Sequence, residues 1–375
     1  MSLHCLTYIG SFPPPYGGVT VKNALLYKRL SDYLTIDKLD LSIVKKLNLR
    51  VILRLIRRLF SHDGALVLGV SADWRYRLTY LLYRFNRSKM ERSILIVMGG
   101  KTPESVTYAN RLNGYRRVYV ETESMKRAFE AMGVHNVSIY PNCREMPKAP
   151  TQIRSSGSGR MSSVFFSLIS PDKGVEIALG VAKLLPEVDF HFYGRIEGGY
   201  EDRFLGKVDE LSNVYYHGVF DSVAGDVLGE LSKYDVHLFP TQCPNEGVPG
   251  VLVETKMAAV PTVASNVSYN AELVASGKDG IVLDECTVEA MCDAIKALDR
   301  DRELLASMKE AALASAEYFC VDHYLEELVA DLENGRKGAH RWALLGMRRT
   351  SREGSIGFFA ISASVWRSCT RCGSI

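Results

Sequence analysis

One pattern constrains this chain more than any other: short apolar runs alternate with amphipathic stretches along nearly its whole length. Compact apolar runs suit strands buried on both faces, and parallel strands need crossovers long enough to hold a helix. In the first 150 residues, Leu3–Ile9, Ala65–Val70, Ile94–Met98, Arg117–Val120 and Val137–Tyr140 read as strands. Helical patterns cover Lys22–Leu30, Ile43–Phe60, Tyr76–Phe85 and Ser124–Met132. Segment 151–160 is polar, Gly/Ser-rich and aperiodic, the composition of a linker.

Beyond it the alternation restarts with strands over Ser163–Ile169, Asp189–Tyr193, Val214–Tyr216, Val236–Phe239, Val260–Ala264 and Gly280–Leu283. Two or three consecutive helices follow over Thr287–Asn334. The expected fold class is α/β: two Rossmann-like, doubly wound domains, residues 1–150 and 161–320, facing a central cleft. A helix over 321–335 is placed to return to the first domain. A length of 375 residues suits two cores better than one. From Arg336 onward neither period persists, and 336–375 reads as a poorly ordered basic tail.

The net charge of +3 conceals unlike parts. Residues 1–150 hold 24 Lys/Arg against 11 Asp/Glu, residues 151–335 hold 14 against 31, and the remainder holds 8 against 1. A basic first half suits an anionic partner. Over 43–60, Lys46, Arg50, Arg54 and Arg57 gather on one side of a helix, with Val44, Leu47, Val51, Leu55 and Leu59 opposite. Residues 74–87 add aromatic and basic side chains. The two segments read as a surface for anionic lipid. The charge comes without a nucleic-acid-binding motif, so no nucleic-acid partner is expected. The first apolar run contains His4 and Thr7 and does not read as a secretory signal, and no apolar run is long enough to span a bilayer. The eight cysteines are scattered, with Cys369 and Cys372 as the one C-x-x-C, which favours reduced thiols. The expected setting is cytoplasmic, peripheral on the cytosolic face of a membrane.

Three motifs bear on chemistry. Gly17-Gly18 follows the opening strand and precedes a helix, where backbone and helix-end amides can approach a phosphate; a plain structural turn has the same letters. It does not fit the dinucleotide fingerprint. Gly99-Gly100-Lys101-Thr102 resembles the end of a P-loop, but Leu95 stands where that loop needs glycine, which excludes a P-loop NTPase. The strongest signal runs from Tyr234 to Glu254: a strand, a polar loop, Glu246 at the entry to a helix near Pro249, and Glu254 eight residues on. Two carboxylates then bracket the amides of Gly247, Val248, Pro249, Gly250 and Val251, proline lacking the N–H. Carboxylates accept from sugar hydroxyls and helix-start amides suit phosphate. A capping Glu followed by a surface Glu would read the same way.

The E-x7-E with its internal Glu-Gly-Val-Pro, the preceding Tyr234-Asp-Val-His-Leu-Phe-Pro240 and the following Val260-Pro-Thr-Val-Ala264 resemble the GT-B retaining glycosyltransferases of family 4. The likeness extends over most of 1–330 and takes in Gly17-Gly18, Tyr140-Pro141-Asn142, Ser170-Pro171-Asp172-Lys173-Gly174, Asn213–Gly218 and Ser276–Leu283. The resemblance implies transfer of a sugar from a UDP- or GDP-linked donor to a glycan, and a lipid-linked saccharide as acceptor, in polysaccharide or cell-envelope glycan synthesis. It implies that Glu254 holds the ribose hydroxyls, that Glu246 and the Gly247–Gly250 backbone contact the donor sugar, and that Lys173 neutralises the diphosphate. Gly17 and Gly18 would pack on the phosphates. No metal or cofactor is then required; the D-x-D at Asp299-Arg300-Asp301 falls in a helical region. Where the family carries an arginine this chain has Leu168, and Arg195 is the candidate substitute cation. Met98-Gly99-Gly100 stands where relatives carry a histidine. The competing class is a non-catalytic, membrane-associated binding or scaffold protein on a degenerate GT-B fold.

Overall fold

A computed structural model of the chain describes residues 6–14, 17–45, 48–147, 151–154, 159–221, 225–244 and 246–333. The described residues all belong to one compact unit within residues 1–336. The expected basic tail lies outside the described residues.

The first half runs β1 (Leu6–Gly10), α1 (Gly18–Ser31), β2 (Ile36–Asp40), α2 (Leu41–Lys45), α3 (Leu49–Phe60) and β3 (Leu66–Val70). It continues with α4 (Ala72–Phe85), α5 (Arg87–Met90), β4 (Ile94–Val97), α6 (Val106–Leu112), β5 (Arg117–Val120), α7 (Glu123–Ala131) and β6 (Val137–Ile139). The second half runs β7 (Ser162–Phe166), α8 (Val175–Leu184), β8 (Asp189–Tyr193), α9 (Glu201–Glu210), β9 (Val214–Tyr216), α10 (Val227–Leu231) and β10 (Val236–Phe239). It ends with α11 (Gly250–Met257), β11 (Thr262–Ser265), α12 (Asn270–Leu273), β12 (Gly280–Leu283), α13 (Val288–Arg300) and α14 (Arg302–Ser315).

Each half is a six-stranded parallel sheet, ordered β2-β1-β3-β4-β5-β6 and β12-β11-β10-β7-β8-β9. The winding reverses between β1 and β3 in the first and between β7 and β10 in the second. In open α/β sheets the crevice beyond the strand ends at such a reversal is where ligands bind. Strands β1, β3 and β4 are buried along their whole length, one apolar cluster lying on each face of the sheet.

Several expectations change. Of the helix expected over 43–60, the residues up to Lys45 are in α2 and those from Leu49 are in α3, which Asn48 caps by accepting from the Val51 amide; Lys46 and Leu47 lie outside the described residues. Strand β2 is an addition to the expected strands: Ile-Asp-Lys-Leu-Asp lies at a sheet edge and has no apolar run. Helix α1 starts at Gly18, ahead of Lys22, and β11 starts after Val260-Pro261. Of Leu3–Ile9, Leu6–Ile9 are in β1 and residues 3–5 lie outside the described residues. Residues 322–333 are helical. Val321, Leu325, Leu328 and Leu332 share a buried cluster with Leu6, Tyr8, Leu26 and Ile94, so this last helix lies on the first sheet. Asp331 fastens it by accepting from Arg117 Nε (3.0 Å) and the Tyr119 hydroxyl (2.9 Å). Among the described residues no helix is long and apolar enough to cross a membrane.

Candidate functional site

The site is built at the β7/β10 reversal. After β7 the chain makes a 3-10 turn over Pro171–Lys173 and enters α8 through Gly174, whose φ of 77° lies in the left-handed region. A side chain at Gly174 would collide with the Pro240 carbonyl, so glycine lets the Lys173 turn press against the end of β10. The Gln242 amide donates to the Asp172 carbonyl at 2.8 Å and locks the two loops together. Lys173 Nζ then lies 2.7 Å from both Glu246 oxygens. The Thr241 hydroxyl donates to Glu246 Oε2 (3.1 Å) and fixes the carboxylate further, while Ser268 Oγ donates to the Glu246 main-chain carbonyl (2.6 Å) and holds the loop backbone. The Lys173 and Glu246 side chains are 19% and 17% exposed, sheltered but open to a ligand.

Helix α11 starts at Gly250 with Pro249 as its N-cap, so Glu246 is in the entry loop and Glu254 one turn inside. Val248 is buried, and Val251 packs on the same apolar cluster, so these two residues leave only their backbone for a ligand. The Val248 amide is not open, however. It donates to Glu121 Oε2 at 2.9 Å, correcting the expectation of a free run of amides over Gly247–Val251. Glu121 follows β5 in the first half; its other oxygen takes Lys22 Nζ of α1 at 2.7 Å, a pair that is 1% and 4% exposed. A side chain at Gly247 would strike Glu121 Oε2 and the Gly99 backbone, so the entry loop needs glycine to seat against the first half.

Further bonds cross between the halves. Asn142 Nδ2 donates to the Val248 carbonyl (2.7 Å), Arg144 Nε to Glu254 Oε1 (2.9 Å), and the Tyr269 hydroxyl to the Gly100 carbonyl (3.0 Å). Glu272 accepts from the Glu123 amide and, at 3.0 Å, from the Ser124 amide at the start of α7. Glu121 and Arg144 were not singled out from sequence. The one available signal for Glu121 was an acid directly after an apolar strand.

Gly17 caps α1 and Gly18 is its first residue, and a Cβ at either would meet open space. Packing among the described residues therefore does not explain them, and α1 is tied to the cluster through Lys22. Arg195 is exposed, and its carbonyl accepts from the Ile169 amide at 2.9 Å, which sets its backbone beside Leu168. Asp299 lies in the last turn of α13 and pairs with Arg302, and Asp301 caps α14 by accepting from the Leu304 amide.

Comparison with known proteins fits this architecture. The profile of the family described as glycosyl transferases group 1 matches residues 153–314. Anabaena HepE, solved in complex with UDP, aligns over 88% of this chain and 100% of its own with a TM-score of 0.66 at 15% identity. Sucrose-phosphate synthase from Thermosynechococcus elongatus aligns over 91% and 100%, at TM-score 0.63 and 12% identity. The fold is GT-B. An exopolysaccharide phosphotransferase of Streptomyces coelicolor is 29% identical over 238 residues, 59% of this chain; the chain spans about a quarter (24%) of that relative's length.

Proposed function

We propose that the protein is a retaining glycosyltransferase that moves a sugar from a UDP- or GDP-linked donor to a glycan acceptor, a lipid-linked saccharide at a membrane surface. The observation that carries this reading is the Lys173–Glu246 pair at the strand-order reversal of the second sheet. The group 1 profile over 153–314 and the UDP-bound state of the similar HepE support it.

In this reading the donor's diphosphate draws Lys173 from Glu246, and a sugar hydroxyl takes the place of the ammonium on the carboxylate. A fixed cation beside a departing diphosphate is worth most when negative charge develops there, in the transition state. Lys173 supplies positive charge without a metal, and Arg195, beside Leu168, adds a second cation from the neighbouring strand end. The retaining course uses no protein nucleophile: the departing phosphate oxygen takes the acceptor's proton while the acceptor oxygen bonds to the anomeric carbon on the same face. The test is nucleotide release from a panel of UDP- and GDP-sugars with a lipid-linked saccharide acceptor. One donor should be consumed by the native chain and none by Glu246→Ala; equal turnover by both would overturn the assignment.

The membrane element rests on α3, whose structure refines the sequence pattern. Leu55 and Leu59 face the core, but Leu49, Leu53, Ile56 and Phe60 are solvent-exposed. At about 100° per residue these four fall within roughly 60° of one another, and Arg50, Arg54 and Arg57 lie in the adjoining sector. Phe85, 58% exposed, meets Phe60 edge to face at 5.8 Å and widens the patch. An exposed apolar stripe beside cations suits the interface of an anionic bilayer. Arg54 and Arg58 also pair with Asp37, and Arg75, expected on this surface, is buried against Tyr76 and Phe129.

A further inference from the structure

The E-x7-E segment is gripped at both ends by one short stretch of chain, residues 142–144. Asn142 Nδ2 holds the Val248 carbonyl, and Arg144 Nε holds Glu254 Oε1. The two grips are linked, because Arg144 Nη1 donates to Asn142 Oδ1 (2.9 Å) and to the Cys143 carbonyl (3.0 Å). The Arg144 backbone is clamped as well. Its amide donates to the Phe319 carbonyl at 2.9 Å, and its carbonyl accepts from the Val321 amide at 3.1 Å, in a parallel bridge to Cys320. The guanidinium reaches Glu254 across the start of α11, where any side chain at position 250 would collide with Nη2. A side chain at 250 would therefore have to displace the Arg144 guanidinium.

Only one oxygen of Glu254 is taken in this way. Among the described residues Oε2 has no hydrogen-bond partner, and the Glu254 side chain remains 23% exposed against 12% for Arg144. We propose that Arg144 is a positioning residue: it fixes Oε1 so that Oε2 is presented, in one orientation, to a ribose hydroxyl of the donor nucleotide. This rests on the reading that Glu254 takes the ribose. A carboxylate on a free glutamate side chain must be ordered when ligand binds, whereas one already held by a fixed fork does not, and preorganisation of this kind raises affinity.

The test is calorimetric binding of UDP and GDP, each against its 2′,3′-dideoxy analogue, to the full chain and to Arg144→Met. The native chain should favour the intact ribose by about tenfold, the scale of one hydrogen bond to a charged group. In Arg144→Met that preference should shrink to about twofold while dideoxy binding stays within about twofold, since the diphosphate contacts remain. A purely architectural arginine would weaken both ligands alike, and that result, or an undiminished preference, overturns the proposal. Gly250→Ala keeps the arginine but pushes it from its seat, and it should lose the preference in the same way; it serves if Arg144→Met fails to fold. Equal binding of intact and dideoxy nucleotide by the native chain would instead overturn the Glu254 assignment, and the proposal with it.

Discussion

Each half of the molecule carries a lysine–glutamate pair at a strand end, and both pairs close to 2.7 Å. Their surroundings are opposite. Lys22–Glu121 is 1% and 4% exposed, with Lys22 Nζ also donating to the Tyr140 carbonyl and lying 5.0 Å from the Tyr140 ring centre. Every charge there is answered from within the chain. Lys173–Glu246 is about a fifth exposed and sits in loops whose own backbone bonds would survive its opening. A buried pair is costly to break because the survivor is left charged and dry, whereas water can take over a half-open pair. The same chemistry thus makes a clamp in one half and a ligand-ready site in the other.

That contrast can be broken in order of effect. Lys173→Ala should lower transfer by about 10²–10³-fold, the scale of losing one key electrostatic group, while the urea midpoint moves little. Lys22→Met should do the reverse, costing about 3 kcal/mol of unfolding free energy as Glu121 is stranded, with activity per folded molecule largely kept. If the two substitutions changed stability alike, the distinction between clamp and site would be lost. Next in size is the membrane surface. The double variant Leu53→Glu, Phe60→Glu should cut co-sedimentation with phosphatidylglycerol-containing vesicles several-fold, leaving nucleotide binding in solution unchanged. Arg195→Ala should weaken donor binding by less than Lys173→Ala, about three- to tenfold, as expected for an exposed cation; unchanged binding would remove it from the site.

The smallest effect is on acid stability. Burial, and then the neighbouring His217, pushes His191 down to about 4, against which Asp189 and Glu230 pull upward. Its ordinary value is about 6.5, so between those limits the unfolded chain binds the extra proton. The contribution of His191 is full above pH 6.5 and is lost as pH falls toward 4. His191→Gln should therefore flatten the decline in urea midpoint between pH 6.5 and pH 4.5; an identical decline would show that another group governs it. Part of any residual decline belongs to His237, pushed to about 3 by complete burial.

Much of this fold was legible along the chain. Strands Arg117–Val120, Asp189–Tyr193, Val214–Tyr216, Val236–Phe239 and Gly280–Leu283 begin and end where the apolar runs do. The parallel arrangement followed from the helical crossovers between them. What misled was local competition: the apolar period continues through 43–60, but Asn48 caps a new helix at Leu49. In the site, the loop from Tyr234 to Glu254 announced itself because its carboxylates, glycines and prolines are close in sequence. Its partners did not. Glu121 bonds a residue 127 positions away and Arg144 one 110 positions away, and neither lies in a pattern that periodicity could reveal. At the glycines 247 and 250, read as donor contacts, an added side chain would first meet those two distant side chains.

The most direct measurement is a calorimetric titration of the full chain with UDP, GDP and their sugars, repeated on Lys173→Ala. One nucleoside diphosphate should bind the native chain, and Lys173→Ala should weaken it by more than about tenfold, the scale of a lost charge-assisted contact. No binding to any of them, or equal binding by both proteins, would contradict a donor site at Lys173 and the E-x7-E; complete silence would favour a non-catalytic binding protein on the same fold.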